Sequence, residues 1–253
     1  MLAIRNLCRN FGGLQVLQDV SFTVPEGSVF GLIGPNGAGK TTLFNLVTGL
    51  MRPSSGSIEF DGTDLVTVPP YRITALGVAR TFQNIRVFRE MTLVENVIVG
   101  MQQRIHYGIA SALFKLGTFR AAEARARERA LELLSWFRLE RKAQLLAESL
   151  SYGEQRKLEF ARALAAEPRL LLLDEPVAGM NPAEKDEVAA EIVNIRSRGY
   201  SVFLIEHDMR FVMRLCERIA VLNFGRIIAE GPPQEIRSDP RVIEAYLGVD
   251  EDA

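Results

Sequence analysis

The sequence has little of what would commit it to a membrane, to an oxidising compartment or to nucleic acid. No apolar run approaches the ~18 residues that suggest a membrane span, so any membrane role is borrowed from other chains. No N-terminal signal pattern appears. The two cysteines, Cys8 and Cys216, are far apart and fit no metal spacing, which suits small buried hydrophobes in a reducing cytosol better than a secreted disulfide scaffold. Lys and Arg total 30 against 31 Asp and Glu, a net charge of −1 that offers no overall electrostatic case for nucleic acid. None of the 11 prolines lies between Pro70 and Pro168. That breaker-free stretch is rich in Ala, Leu, Glu and Arg, notably from Arg120 to Leu139, and favours helix. Its alternating arginines and glutamates read as a solvated helix face. The remaining composition, 47% hydrophobic over 253 residues, suits one large domain or a core with a subdomain.

The organising stretch is Gly34, Pro35, Asn36, Gly37, Ala38, Gly39, Lys40, Thr41 and Thr42. It follows the apolar strand-like run Val29 to Ile33 and opens a helical pattern from Thr41 to Gly49, the strand-to-helix context that a P-loop needs. Glycines let consecutive N–H groups curl around phosphate oxygens, and the helix N-terminus adds its positive dipole end. Lys40 can reach the terminal phosphates and Thr41 offers a hydroxyl to Mg²⁺. The motif implies nucleotide binding, and by itself does not separate a kinase from a GTPase, a helicase or a transport ATPase.

Upstream, Leu2 to Leu7, Gln18 to Val24 and Val29 to Ile33 read as strands, with turns at Gly12-Gly13 and Pro25-Glu26-Gly27. Downstream come a strand at Ser57 to Phe60, a hairpin signal at Asp61-Gly62 and a strand at Val78 to Gln83. Ser151 with Glu154 forms a capping box before a helix from Gln155 to Ala166. Leu170 to Leu173 is apolar throughout, as in a strand buried on both faces, and Asp174-Glu175 sits at its carboxyl end, where open α/β sheets place ligands. Asn181-Pro182 starts another helix, and the strand Tyr200 to Ile205 delivers Glu206-His207-Asp208. Short strands at Ile219 to Leu222 and Arg226 to Ala229, then a helix ending in Ala245 to Gly248, close the chain. The βαβ alternation predicts an α/β fold with a mainly parallel core.

These motifs occur in the order of an ABC transporter ATPase, and the sequence resembles that family over nearly its whole length. The resemblance implies a P-loop NTPase core with an N-terminal antiparallel β subdomain and an inserted helical subdomain. It divides a single 1–253 domain into a core of 1–90 with 150–253 and an insert of 91–149. Gln83 matches the family's Q-loop glutamine, and Leu150 to Glu154 match the signature turn of Ser151, Tyr152, Gly153 and Glu154. Asp174 matches the Walker B aspartate, Asn181 closes the D-loop, His207 matches the switch histidine, and Phe11 stands where the family places an adenine-stacking aromatic. The residues agree with these roles: Asp174, Thr41 and Gln83 offer an oxygen shell for Mg²⁺, Glu175 can polarise the attacking water, and His207 can orient it. A core position is the alternative for Phe11 and a buried structural imidazole for His207, whereas His106 has no such context and reads as a surface residue. Two departures stand out: the signature reads L-S-Y-G-E rather than L-S-G-G-Q, and Asn181 replaces the usual Asp.

Ala79 to Asn84, Phe88 to Thr92, Glu175 to Pro182, Ile205 to Met209 and Ala245 to Gly248 resemble the cassettes of bacterial branched-chain amino acid importers. The resemblance implies ATP and Mg²⁺ as cofactors and a second cassette, identical or related, whose signature closes on this chain's ATP. It also implies two transmembrane subunits, indirectly a periplasmic binding protein, no nucleic acid, and a peripheral location on the cytoplasmic face of the inner membrane. Urea-importer and lipopolysaccharide-export cassettes look similar, and a soluble ABC ATPase or a small-molecule kinase are the readings from other classes. Ile85, Val87 and Phe88, apolar among arginines, suit a groove for a membrane partner's short helix or the packing of the insert on the core.

Overall fold

Polar turns between apolar runs organise the N-terminal strands. In a computed structural model, which describes residues 1–103 and 117–247 (side chains of 117–119 and 247 excepted), two units form: Met1–Ile73 with Arg169–Ala253, and Thr74–Pro168. His106 and Gly248 lie outside the described residues.

In the first unit, strands β1 (Leu2–Phe11), β2 (Leu14–Val24), β4 (Ser55–Phe60) and β5 (Thr63–Asp64) make an antiparallel sheet in the order β2-β1-β4-β5. Asp61 and Gly62, both at positive φ, close the Phe60↔Thr63 hairpin as the Asp-Gly pair predicts. β1 and β2 run further toward their shared turn than the expected Leu2–Leu7 and Gln18–Val24. Their outer residues mix exposed Phe11, Leu14 and Gln15 with half-buried Arg9 and buried Leu17, so hydrophobic alternation fades while backbone pairing continues through register shifts after Ile4 and Leu7.

A second sheet carries, within this unit, the order β10-β9-β3-β8-β7, with β3 (Val29–Ile33), β7 (Leu170–Asp174), β8 (Ser201–Ile205), β9 (Arg218–Asn223) and β10 (Arg226–Gly231). β3, β7 and β8 are mutually parallel and buried at every residue, because helices cover both faces. Those helices are α1 (Lys40–Val47), α6 (Pro182–Ser197), α7 (Met209–Leu215), α8 (Pro233–Ser238) and α9 (Pro240–Leu247). Phe203 of β8 lies edge-on to Phe44 of α1 at 4.9 Å and to Phe30 of β3 at 5.5 Å, while Phe22 of β2 stacks on Phe30 at 5.4 Å. This aromatic cluster locks the P-loop helix and both sheets to one core.

Helix α2 (Pro70–Ala75) spans the sequence boundary between the units. The second unit contains β6 (Val78–Arg80), α3 (Leu93–Gly100), α4 (Gly117–Trp136) and α5 (Tyr152–Leu164). α3 packs on both α4 and α5, and a Cβ at Gly100 would collide with the carbonyl of Arg162, so glycine there sets the close helix approach. The unit is wider than 91–149 because α5 packs on α3 and β6 packs on α5, tertiary contacts that proline spacing does not report. β6 also stops at Arg80 instead of Gln83; the following backbone is held by side chains rather than by a strand ladder.

Candidate functional site

The parallel strands end together, and their carboxyl ends carry the candidate residues. β3 runs straight into the loop of Gly34 to Gly39, and α1 begins at Lys40. A Cβ at Gly34 would collide with the Leu222 carbonyl on β9, and at Gly39, held at φ 108°, a Cβ would collide with Leu17 Cδ2 and crowd Val16 O, so both positions require glycine. Gly225 N donates to Ala38 O at 3.1 Å and fastens the loop to the β9–β10 hairpin. The Lys40 side chain is buried and its Nζ donates to Gly34 O at 2.6 Å and Pro35 O at 2.9 Å. Burial pushes the Lys40 ammonium below its usual range, while Glu175, Asp174 and Glu206 pull it back. Their mutual influence brings the P-loop and the ends of β7 and β8 into one electrostatic centre.

Asp174 ends β7 as a buried carboxylate, and Glu175 follows in the left-handed region at φ 46°, sparsely populated for a residue with a side chain. Glu175 N donates to Ile205 O at 3.0 Å, which ties the turn to β8. His207 is exposed, with Nδ1 3.8 Å from Glu175 Oε2 and 3.8 Å from Glu206 Oε2, a span suited to a bridging water. Glu206 is 0% exposed, and its two oxygens accept from Val177 N at 3.0 Å and His207 N at 3.1 Å. Burial pushes the Glu206 carboxyl above the usual carboxylate range despite those donors. Asn181 caps α6, its Oδ1 accepting from Glu184 N at 3.0 Å while Glu184 accepts from Asn181 N at 2.9 Å; an Asp there would make the same cap. Phe11, at the tip of β1, is 40% exposed, with the Arg9 guanidinium 4.4 Å from its ring centroid.

The Asp174 carboxylate and the Thr41 hydroxyl are hard oxygen donors of the kind Mg²⁺ takes, and no competing group of three or more His, Cys, Asp and Glu gathers among the described residues. These two donors fit the ion when nucleotide phosphates complete the shell.

Gln83 and the Ser151 turn lie in the second unit. Ser151 is exposed at the N-cap of α5; its Oγ accepts from Glu154 N at 3.4 Å, and Glu154 Oε2 accepts from Ser151 N at 3.3 Å. Lys142, bonded to Glu154 at 2.5 Å, and then Ser151, hold the Glu154 carboxyl below its usual range. Tyr152 is exposed, and a Cβ at Gly153 would meet nothing, so the helix start is open to a partner. Gln83 is exposed, with its carbonyl accepting from Arg156 Nη2 at 3.0 Å. Phe88, 45% exposed, lines a cavity of about 620 Å³ with Val87, Ala79, Val99 and Arg162. Ile85 is half-buried beside this segment.

Four buried polar residues carried no sequence signal for their positions. Glu206 was legible only as part of a strand end. Arg156, Glu159 and Asn96 look like ordinary helix residues, yet Arg156 and Glu159 grip the backbone at Phe82, Gln83 and Arg86, and Asn96 grips it at Phe88 and Met91. The available signal was weak: Arg156 and Glu159 stand three apart on one helix face.

Comparison with known proteins agrees with this geometry. Residues 17–178 match the ABC transporter family, and residues 226–252 match the family described as branched-chain amino acid ATP-binding cassette transporter. The chain is 45% identical over 249 residues to the high-affinity branched-chain amino acid transport ATP-binding protein BraF of Pseudomonas aeruginosa, covering 98% of each chain. A crystal structure of the ADP conformation of an ATP-binding cassette of an ABC transporter superposes with a TM-score of 0.85 at 31% identity, covering 98% of both chains. The dimeric structure of a bacterial ABC transporter cassette superposes at 0.76 with 25% identity, covering 92% of this chain and 99% of that one. A glycine-rich loop after β3, with two carboxylates and a histidine at the ends of the neighbouring strands, on a chain matched to one family from residue 17 to 178, makes this protein a member of the ABC transporter family, one of its ATP-binding cassettes.

Proposed function

We propose that this cassette hydrolyses ATP to ADP and phosphate and that the cycle drives import of branched-chain amino acids. The observation that carries the hydrolytic reading is the placement of the glycine-rich loop, Asp174, Glu175 and His207 at the carboxyl ends of the parallel strands β3, β7 and β8, with His207 Nδ1 3.8 Å from Glu175 Oε2. The P-loop N–H groups and the α1 N-terminus hold the phosphates, and Lys40 neutralises charge that builds on the γ-phosphoryl oxygens. Thr41 and Asp174 would hold Mg²⁺, which would supply charge neutralisation to the nucleotide phosphates. Glu175 orients and accepts a proton from the water that attacks γ-phosphorus in line with the departing ADP oxygen, and His207 orients that water and the γ-phosphate. Phe11 stacks on adenine.

Ser151 and the N–H groups of Tyr152, Gly153 and Glu154 form a second anion-binding helix start, although this chain's own P-loop already holds a phosphate site. It serves the ATP of a second cassette, with Asn181 at the same interface, and the dimeric relative supports that arrangement. Coupling runs from Gln83 through Asn84 to Met91 to the Phe88 cavity, which receives a helix from one of two membrane subunits. The cassette then sits on the cytoplasmic face of the inner membrane, with a periplasmic binding protein feeding the pore. BraF and the match at residues 226–252 support the substrate class.

The test separates binding from chemistry. Lys40→Ala abolishes nucleotide binding, whereas Glu175→Gln keeps ATP, traps a closed dimer and slows hydrolysis on the order of 10²-fold or more. Near wild-type hydrolysis by the Gln variant removes Glu175 from the mechanism. Proteoliposomes carrying the assembled complex should take up leucine, isoleucine or valine with ATP, and failure with all three overturns the substrate assignment.

A further inference from the structure

The turn after β7 and the turn after β8 are joined by a side chain for which the reaction as described has no use. Glu206 is wholly buried, with its Oε2 3.8 Å from His207 Nδ1, and no Lys or Arg pairs with it among the described residues. Its Oε1 accepts from Val177 N at 3.0 Å, two residues past Glu175, and its Oε2 accepts from His207 N at 3.1 Å. One carboxylate therefore holds the backbones that present Glu175 and His207. A second tether runs parallel to it, from Lys185 Nζ on α6 to Asp208 Oδ2 at 2.6 Å, so the segment after Glu175 and the segment carrying His207 are joined at two points. Glu175 N to Ile205 O at 3.0 Å adds a third link between the same strand ends. Keeping a carboxylate in an apolar interior is unfavourable unless its oxygens are fully used, and here both oxygens accept backbone donors. The 3.8 Å gap between His207 Nδ1 and Glu175 Oε2 is the separation that this clamp maintains.

We propose that Glu206 is a positioning residue for hydrolysis, its carboxylate setting the spacing of Glu175 and His207 about the attacking water by bonding Val177 N and His207 N at once. The inference rests on the hydrolytic reading above, with Glu175 and His207 touching the reacting atoms and Glu206 acting only through them. A glutamine at this position keeps the size but has one acceptor oxygen; its amide N–H groups would face a backbone N–H, so one turn must shift. A shift of roughly 1 Å at reacting groups costs on the order of 10²-fold in rate. An aspartate keeps both oxygens but is one methylene too short to reach both turns.

The test is steady-state ATP hydrolysis by wild type, Glu206→Gln, Glu206→Asp, His207→Ala and the Gln/Ala double variant, with ATP affinity and melting temperature measured for each. We expect kcat to fall on the order of 10²-fold for Gln and less for Asp, with KM, ATP affinity and melting temperature close to wild type. In the His207→Ala background, Glu206→Gln should cost no more than about threefold, because the imidazole whose spacing from Glu175 the clamp sets is already gone. Unchanged kcat in both single variants overturns the inference, as does a parallel fall in kcat, ATP affinity and melting temperature, or a full 10²-fold cost persisting without His207. Hydrolysis absent from wild type overturns the functional reading together with this inference, whereas hydrolysis by wild type that ignores Glu206 sinks the inference alone.

Discussion

Replacing Arg156 with methionine, which keeps much of the side-chain volume and removes the charge, should damage the second unit far more than replacing Glu159 with glutamine. Arg156 is 0% exposed; its Nη1 donates to Glu159 Oε2 at 2.8 Å and Phe82 O at 3.0 Å, and its Nη2 to Gln83 O at 3.0 Å. The methionine leaves a buried carboxylate without its guanidinium and two carbonyls without a charged donor. Breaking a buried pair from one side costs about 3–5 kcal/mol. At about 2–4 °C per kcal/mol for a chain of this size, melting should fall by about 6–20 °C. Glutamine at 159 keeps a neutral acceptor for Arg86 N or Arg156, and the loss should be about 1–3 kcal/mol. Burial already pushes the Glu159 carboxyl above the usual range against the pull of Arg156, so a neutral group suits the site better than an unpaired charge. Removing Arg156 raises that carboxyl further. A carboxyl with a raised folded-state pKa contributes stability that is fully present below the ordinary value of 4.5 and is lost as pH rises through the raised value. The deficit of the methionine variant should accordingly be smaller at about pH 5 than at about pH 8 when both proteins are unfolded by urea. Equal deficits for the two variants, unchanged between those pH values, would refute this account of the pair.

Phe11→Ala should weaken ATP binding by roughly 1–3 kcal/mol, the scale of a base on an aromatic ring, and leave the melting temperature of the nucleotide-free protein unchanged, since the side chain is exposed; a large fall in melting would assign it a packing role. Phe88→Ala should preserve basal hydrolysis by the isolated cassette while abolishing capture by the membrane subunits and transport-linked stimulation, and equal loss of both would make Phe88 a support for the fold. Burial pushes the Cys216 thiol up, which suppresses the reactive thiolate, so iodoacetamide at about pH 8 should modify half-buried Cys8 in the native protein and reach Cys216 only after unfolding; equal labelling rates would refute that burial.

Much of the architecture was legible because its determinants are local. Glycines at 34 and 39, a capping box at Ser151 and Glu154, a Pro-led helix after Asn181 and unbroken apolar runs at β3, β7 and β8 state their backbone conformations within a few residues. The turn and strand-end segments of the candidate site were therefore placed correctly along the chain. What alternation and helix propensity left open were the outer halves of β1 and β2, the non-strand backbone from Thr81 onward, and the burial of Glu206, Arg156, Glu159 and Asn96. A charged residue on a helix or at a strand end is read by default as solvated, and only a partner brought from elsewhere reverses that. Arg156 meets carbonyls 73 and 74 positions away, and Glu206 meets Val177 across 29. The sequence alone specified the glycine-rich loop after β3, the capped turn at Ser151 and the strands that end in carboxylates, because turn and strand preferences are neighbour effects. Only the tertiary structure decided which buried charges clamp those loops together, because desolvating a charge is tolerated only where distant backbone donors and acceptors converge on it.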